Sequence, residues 1–280
     1  MKFKSLLKLS AITIASGLVL AACGNNASNS NASSSSEAAN KKTVTLATVG
    51  TTKPFSFEKD GELTGYDIEV AKAVFEGSNY DVTYQKTEWS SIFAGLDSDR
   101  YQIGANNISY SDERAEKYLY SAPIATNPLI LAVNKNSGIK SYADIAGKST
   151  QVVQGTATAD MLQKYNEANP DKQTTIEFTK ENIAPILLNL DNGKYDYKIF
   201  ETQSVKTIVE EQGLNNIEIL ELDLDTAQKP YVYFLFGKEE TELQAFANKR
   251  IKELYEDGTL EKLSQEFLGG SYLPEATDIK

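Results

Sequence analysis

From about Thr43 the chain takes up a period of two: Val44, Leu46 and Thr48 alternate with their neighbours as in a half-buried strand. Asp60-Gly61 is a hairpin-turn pair. The period then lengthens. Ile68, Ala71 and Phe75 fall on one helical face, with Asp67 expected as the cap and Gly77 at the end. Beyond it strand-like and helix-like runs alternate, which predicts α/β layers. Upstream the pattern is different. Residues 24–42 are largely Asn, Ser and Ala, too polar to pack, and read as a tether. Before them Lys2, Lys4 and Lys8 lead into an apolar stretch, Leu9 to Leu20, too short to remain across a bilayer.

One stretch of this pattern occurs twice. Residues 83–107 and 177–201 align at a constant offset of 94: Lys86 with Lys180, Ile92 with Ile186, Leu96-Asp97 with Leu190-Asp191, Tyr101 with Tyr195. Each copy reads as strand, helix, polar turn, strand. The repeat predicts two similar α/β lobes and puts Asn106-Asn107 and Phe200-Glu201 at equivalent strand ends. Ligands of open α/β sheets gather at such carboxyl ends.

The N-terminal pattern changes what the composition means. Leu20-Ala21-Ala22-Cys23-Gly24 resembles the lipobox of bacterial lipoproteins, so residues 1–22 are expected to be removed and Cys23 to carry lipid, with 23–42 as the tether. Loss of three lysines takes the net charge from −11 to −14. Such a chain does not hold nucleic acid by counterion release or adhere electrostatically to anionic lipid, so attachment rests on the acyl chains. The expected location is the extracellular face of the cell membrane. The sequence has no histidine and no cysteine besides Cys23. That removes His-based acid/base chemistry, Ser-His and Cys-His nucleophiles and the usual zinc sets. Phosphate-cradling glycine motifs are absent too. Binding, without a cofactor or metal, is the expectation.

The candidate chemistry lies around the two strand ends. Arg114 follows the first, in Ser111-Asp112-Glu113-Arg114, where Ser111 can cap the next helix. A guanidinium fork suits a carboxylate; an Arg paired with a neighbouring Glu on a solvated helix explains the spacing as well. Glu201, at the second end, has the sign to hold an ammonium, or is a solvated acid at a helix start. A desolvated zwitterion needs both partners. Trp89 offers an apolar wall or a core contact. Gln154-Gly155-Thr156-Ala157-Thr158 joins a strand at 150–154 to a helix and offers backbone N–H groups.

These residues resemble the bacterial extracellular solute-binding proteins of ABC importers for polar amino acids, over about residues 43–272. The likeness rests on Pro54-Phe55, on Leu63 through Ala71 (LTGYDIEVA), on Ala94-Gly95-Leu96-Asp97, on Ser111 through Arg114 with Tyr120-Ser121-Ala122-Pro123, and on Asp257 through Leu263 (DGTLEKL). It implies a type II periplasmic-binding-protein-like fold: lobe I at 43–134 plus 231–272, lobe II at 138–228, hinges near 134–138 and 225–231, and a cleft between them. It also implies a monomeric receptor, not an enzyme, that delivers an amino acid to ABC permease subunits. Arg114 then takes the α-carboxylate, assisted by the Gly155-Thr156 loop with Ala157. Glu201 takes the α-ammonium, with Asn106, Asn107 and Ser109 completing that site. Thr52, Phe55 and Trp89 line the side-chain pocket. Glu201 stands where the family usually has Asp, Asn106-Asn107 where small residues are frequent, and Ala157 where a hydroxyl is common. Tyr195 through Glu201 (YDYKIFE) is most like the cystine-binding branch of Gram-positive bacteria, which makes L-cystine the expected ligand. Glutamine, glutamate or another polar amino acid is the alternative. A dehydratase-like enzyme or a surface adhesin on the same fold are more distant ones.

Overall fold

The computed structural model describes residues 41–222 and 229–279. The expected signal peptide, Cys23 and nearly all of the tether lie outside the described residues, as does most of the second expected hinge.

Two five-membered strand series carry the architecture, and their orders correspond. In the first sheet the order is Tyr80–Lys86, Lys42–Thr48, Ile103–Ser109, Tyr231–Phe236, Leu119–Tyr120, with Ala125–Thr126 also paired to Tyr231–Phe236. In the second it is Thr175–Thr179, Ser149–Val153, Tyr197–Glu201, Leu129–Asn134, Ile217–Glu221. The first three strands of each run parallel and the fourth is antiparallel to the third. The repeat emerges residue for residue: helix Trp89–Asp97 and helix Ile183–Asp191 stand at the offset of 94. In the first copy Tyr101 also explains a glycine. Its ring lies 2.0 Å from where a Cβ on Gly95 would sit, so no larger residue fits there.

Each sheet is covered on both faces. Val44, Ile103, Phe234 and helix Tyr66–Phe75 form one core of the first lobe, and Ala47, Ile92 and Leu96 the other. In the second lobe Leu187, Val205 and Ile208 fill one side, and Leu131, Val152 and Tyr197 the opposite side. A small sheet of Thr51–Thr52, Ser56–Lys59 and Glu62–Thr64 sits on the first lobe, with Asp60 and Gly61 both at positive φ in its turn, as the sequence predicts.

Three expectations are corrected. Leu129–Asn134 belongs to the second sheet, paired with Tyr197–Glu201 and Ile217–Glu221, so the first crossing falls at residues 127–128 and not 134–138. An apolar run signals a buried strand without naming its sheet. The first lobe also extends past residue 272: Ile279 is buried in its core, and Asp278 accepts hydrogen bonds from Lys229 and the Tyr231 hydroxyl. Finally, Asp67 lies inside helix Tyr66–Phe75, whose cap is Gly65. Gly65 has φ 115° and approaches Phe55 so closely that a Cβ would stand 2.5 Å from the Phe55 carbonyl oxygen. The helix therefore starts two residues earlier than the sequence predicts, and Asp67 is wholly buried within its first turn. Among the described residues no helix is long and apolar enough to cross a membrane.

Candidate ligand-binding cleft

The carboxyl end of Ile103–Ser109 is built from polar side chains that fix one another. Asn106 Oδ1 accepts hydrogen bonds from the Val49 N–H and the Thr48 hydroxyl, both at 3.1 Å, while its Nδ2 donates to Thr52 Oγ1. Asn107 adopts φ 51°, which aims its N–H at Asp67 Oδ2, 2.6 Å away. Asp67 is wholly buried, and burial pushes its carboxyl up to about 7 against the Asn107 hydrogen bond. Asn107 Oδ1 in turn accepts from Asn127 Nδ2 at the crossing between lobes. Asn127 Oδ1 accepts the Gln203 N–H in the first turn of helix Thr202–Gln212. One buried asparagine therefore ties the two strand ends together.

Arg114 reaches this opening from the short helix Asp112–Lys117. Ser111 precedes that helix, but its side chain makes no capping bond. The guanidinium is buried against the edge-on pair of Trp89 and Phe93, 5.6 and 5.4 Å from their centroids. Nη1 donates to the Ser109 carbonyl and Nη2 to the Gly155 carbonyl, each at 3.0 Å. The second bond crosses between lobes, and Trp89 Nε1 donates to the same carbonyl at 3.4 Å. On that side Thr156 caps helix Ala157–Ala168: its hydroxyl accepts from the Ala159 N–H and donates to the Val153 carbonyl.

Glu201 ends its strand and precedes helix Thr202–Gln212. It is 8 % exposed, and Oε2 has no hydrogen-bond partner. Burial pushes the carboxyl up to about 7; its own backbone N–H, Lys198 and Arg114 pull it back down. Arg114 and Glu201 thus line one interlobe cleft, one from each lobe, with Thr52, Trp89, Asn106, Asn107 and Ser109 on the first side and Thr156 and Ala157 on the second. Phe55 does not line it. Its ring is fully buried in the first lobe's core, edge-on to Tyr66. Three residues that sequence reasoning missed matter here: Asp67 and Asn127, which brace the strand ends, and Lys198, which lines the cleft. A lysine between Tyr197 and Ile199 in an apolar strand was the available signal. Among the described residues no cluster of three or more His, Cys, Asp or Glu could hold a metal.

Two lobes of corresponding topology, facing each other across buried charges of opposite sign, define a receptor for a small polar solute. The chain belongs to the bacterial extracellular solute-binding proteins, family 3, whose pattern matches residues 44–270. L-cystine-binding protein TcyA of Bacillus subtilis (strain 168) is 33% identical over 275 residues, 95% of this chain and 97% of that one. A solved chain described with glutathione import in Gram-positive bacteria, via GshT and the cystine ABC importer TcyBC of Streptococcus mutans, is 64% identical. Its TM-score is 0.82, and the match covers 85% of this chain and 99% of that one. A putative L-cystine ABC transporter protein from Listeria monocytogenes is 27% identical with a TM-score of 0.74, over 84% and 99% of the two chains. This is a substrate-binding protein of an amino-acid ABC transporter, not an enzyme. It works outside the cytoplasm, with an amino-acid ligand and a membrane permease as partners.

Proposed function

We propose that this protein, anchored through lipid on Cys23, is a monomeric receptor that captures glutathione by its γ-glutamyl end and passes it to the permease. Arg114 takes the α-carboxylate and Glu201 the α-ammonium. The observation that carries the grip is the pair of buried, opposite charges supplied by different lobes to one cleft. A zwitterion satisfies both, and only in the closed arrangement, so the ligand favours closure by contacting both lobes at once. The Gly155 carbonyl now holds Arg114 Nη2; the incoming carboxylate takes its place as the stronger, charged acceptor. Thr52, Trp89, Asn106, Asn107 and Ser109 shape one wall, and Thr156 and Ala157 the other.

Glutathione is preferred because the 64% identical chain is described with glutathione import. L-cystine, expected from the sequence, is the second reading; TcyA and the 30% identical TcyK, both L-cystine-binding proteins of Bacillus subtilis, favour it. Both compounds end in the same α-amino-acid group, so one grip serves either. Calorimetric titration of the mature protein with glutathione, L-cystine, L-glutamine and L-glutamate separates them. Tightest binding by glutathione supports the first reading and by L-cystine the second. Binding of none of the four refutes the grip.

A further inference from the structure

The cleft holds a cation that an α-amino-acid grip leaves unused. Lys198 lies on the strand Tyr197–Glu201 between Tyr197 and Ile199, both packed in the second lobe's core. With Phe200 it lines the cleft. It is 1 % exposed, and its Nζ sits 5.4 Å from the centre of the Phe200 ring. Among the described residues no carboxylate comes within ion-pair distance of that ammonium and no acceptor hydrogen-bonds to it; Glu201 acts on it only through the longer-range field. Burial pushes the amine down to about 8, which leaves it mostly charged at neutral pH. An ammonium withdrawn from water without a paired anion is costly, and this one lines the cleft.

The signs give the ligand class. Arg114 and Lys198 bring two buried positive charges to the cleft and Glu201 one negative. The other acids that line it, Glu88 and Glu181, are exposed to solvent and neutralise little. A ligand with one ammonium and two carboxylates completes this set. We infer that Lys198 is a second anion subsite, which holds a carboxylate of the ligand remote from its α-amino-acid group. This rests on the assignment of Arg114 and Glu201 to that group. Glutathione meets the requirement through its glycyl carboxylate. L-cystine carries its second carboxylate beside a second ammonium, for which the cleft has no buried acid.

The test uses the mature protein, glutathione and its glycyl ethyl ester, in which that carboxylate alone is neutralised. For the unmodified protein, tenfold or greater preference for glutathione over the ester is expected. In Lys198→Met, a side chain of similar volume without the charge, glutathione should weaken at least tenfold while the ester binds as before, so the preference disappears. Equal binding of acid and ester by the unmodified protein overturns the subsite, as does a preference that survives in Lys198→Met; the first comparison needs no variant and decides alone if the substitution disturbs folding. Binding of neither compound would instead overturn the underlying grip.

Discussion

Arg114 Nη2 and the Gly155 carbonyl oxygen are 3.0 Å apart, and this hydrogen bond joins the first lobe to the turn that opens the second lobe's helix Ala157–Ala168. Within its own lobe the guanidinium also lies against the edge-on pair of Trp89 and Phe93, which limits its freedom before any carboxylate arrives. Preorganisation of this kind lowers the ordering cost of binding.

Arg114→Lys is therefore expected to fold normally yet lose affinity by roughly two orders of magnitude, since hydrogen bonds to charged groups are worth about 1.5–3 kcal/mol and an ammonium lacks the fork. Calorimetry against the preferred ligand, with a melting curve as the folding control, checks it. Retained affinity in a folded variant removes Arg114 from the site.

The proposed grip makes binding pH-dependent through Glu201. Its carboxyl is raised to about 7 in the free protein, whereas an α-ammonium beside it favours the ionised form and lowers that value in the complex. Affinity should then fall as pH drops below about 7, by up to roughly tenfold per pH unit until the complex's own value is reached. Glu201→Gln should bind weakly and show no such slope between pH 5.5 and 7.5. A flat profile in the unmodified protein contradicts the assignment.

Asp67 affects stability in the opposite sense from a salt-bridged acid. Its folded value, about 7, lies above the unfolded value near 3.9. Between these two the folded state binds the extra proton, so stability is greatest at the acid end of the window and declines as pH rises through it. The decline amounts to a few kcal/mol on the order given by the shift, and Glu201 adds to it with the same sign. Asp67→Asn keeps an acceptor for the Asn107 N–H without a charge. Its stability relative to the unmodified protein, measured by urea unfolding, should rise steadily from pH 4.5 to 7.5. A constant difference across that range excludes the account.

Much of this was legible in the chain because repeats and strand ends are properties of pattern. The offset of 94 placed both helices and brought Asn107 and Glu201 to equivalent ends. What pattern does not carry is direction. Phe55 has the composition of a pocket wall, but whether a ring faces core or cleft depends on tertiary packing, here against the edge-on Tyr66. Asp67 has the sequence of a cap and sits two positions past the actual cap, Gly65. Leu129–Asn134 is apolar enough for either sheet; pairing with Tyr197–Glu201 decides it. A lysine inside that apolar strand was a signal, but that it is buried follows only from the strand being covered on both faces.

The lobes also meet at an exposed ion pair, and its small size makes a quantitative prediction possible. Lys53 Nζ lies 2.9 Å from Glu211 Oε2, the lysine near the first lobe's small sheet and the glutamate on helix Thr202–Gln212. Because this contact spans the cleft, it exists only when the lobes are closed, so whatever it contributes appears in the apparent ligand affinity. Both side chains remain substantially hydrated, at 38 and 48 % exposure, and pairs of that kind contribute about 0.2–1 kcal/mol. Lys53→Ala and Glu211→Ala should each weaken binding by no more than about fivefold, the double variant no further than either alone. The effect should shrink as ionic strength rises from about 0.02 to 0.5 M, where the screening length falls below the reach of a surface charge. Additive losses in the double variant, or a loss indifferent to salt, would show that the two residues act separately and that closure does not draw on this contact.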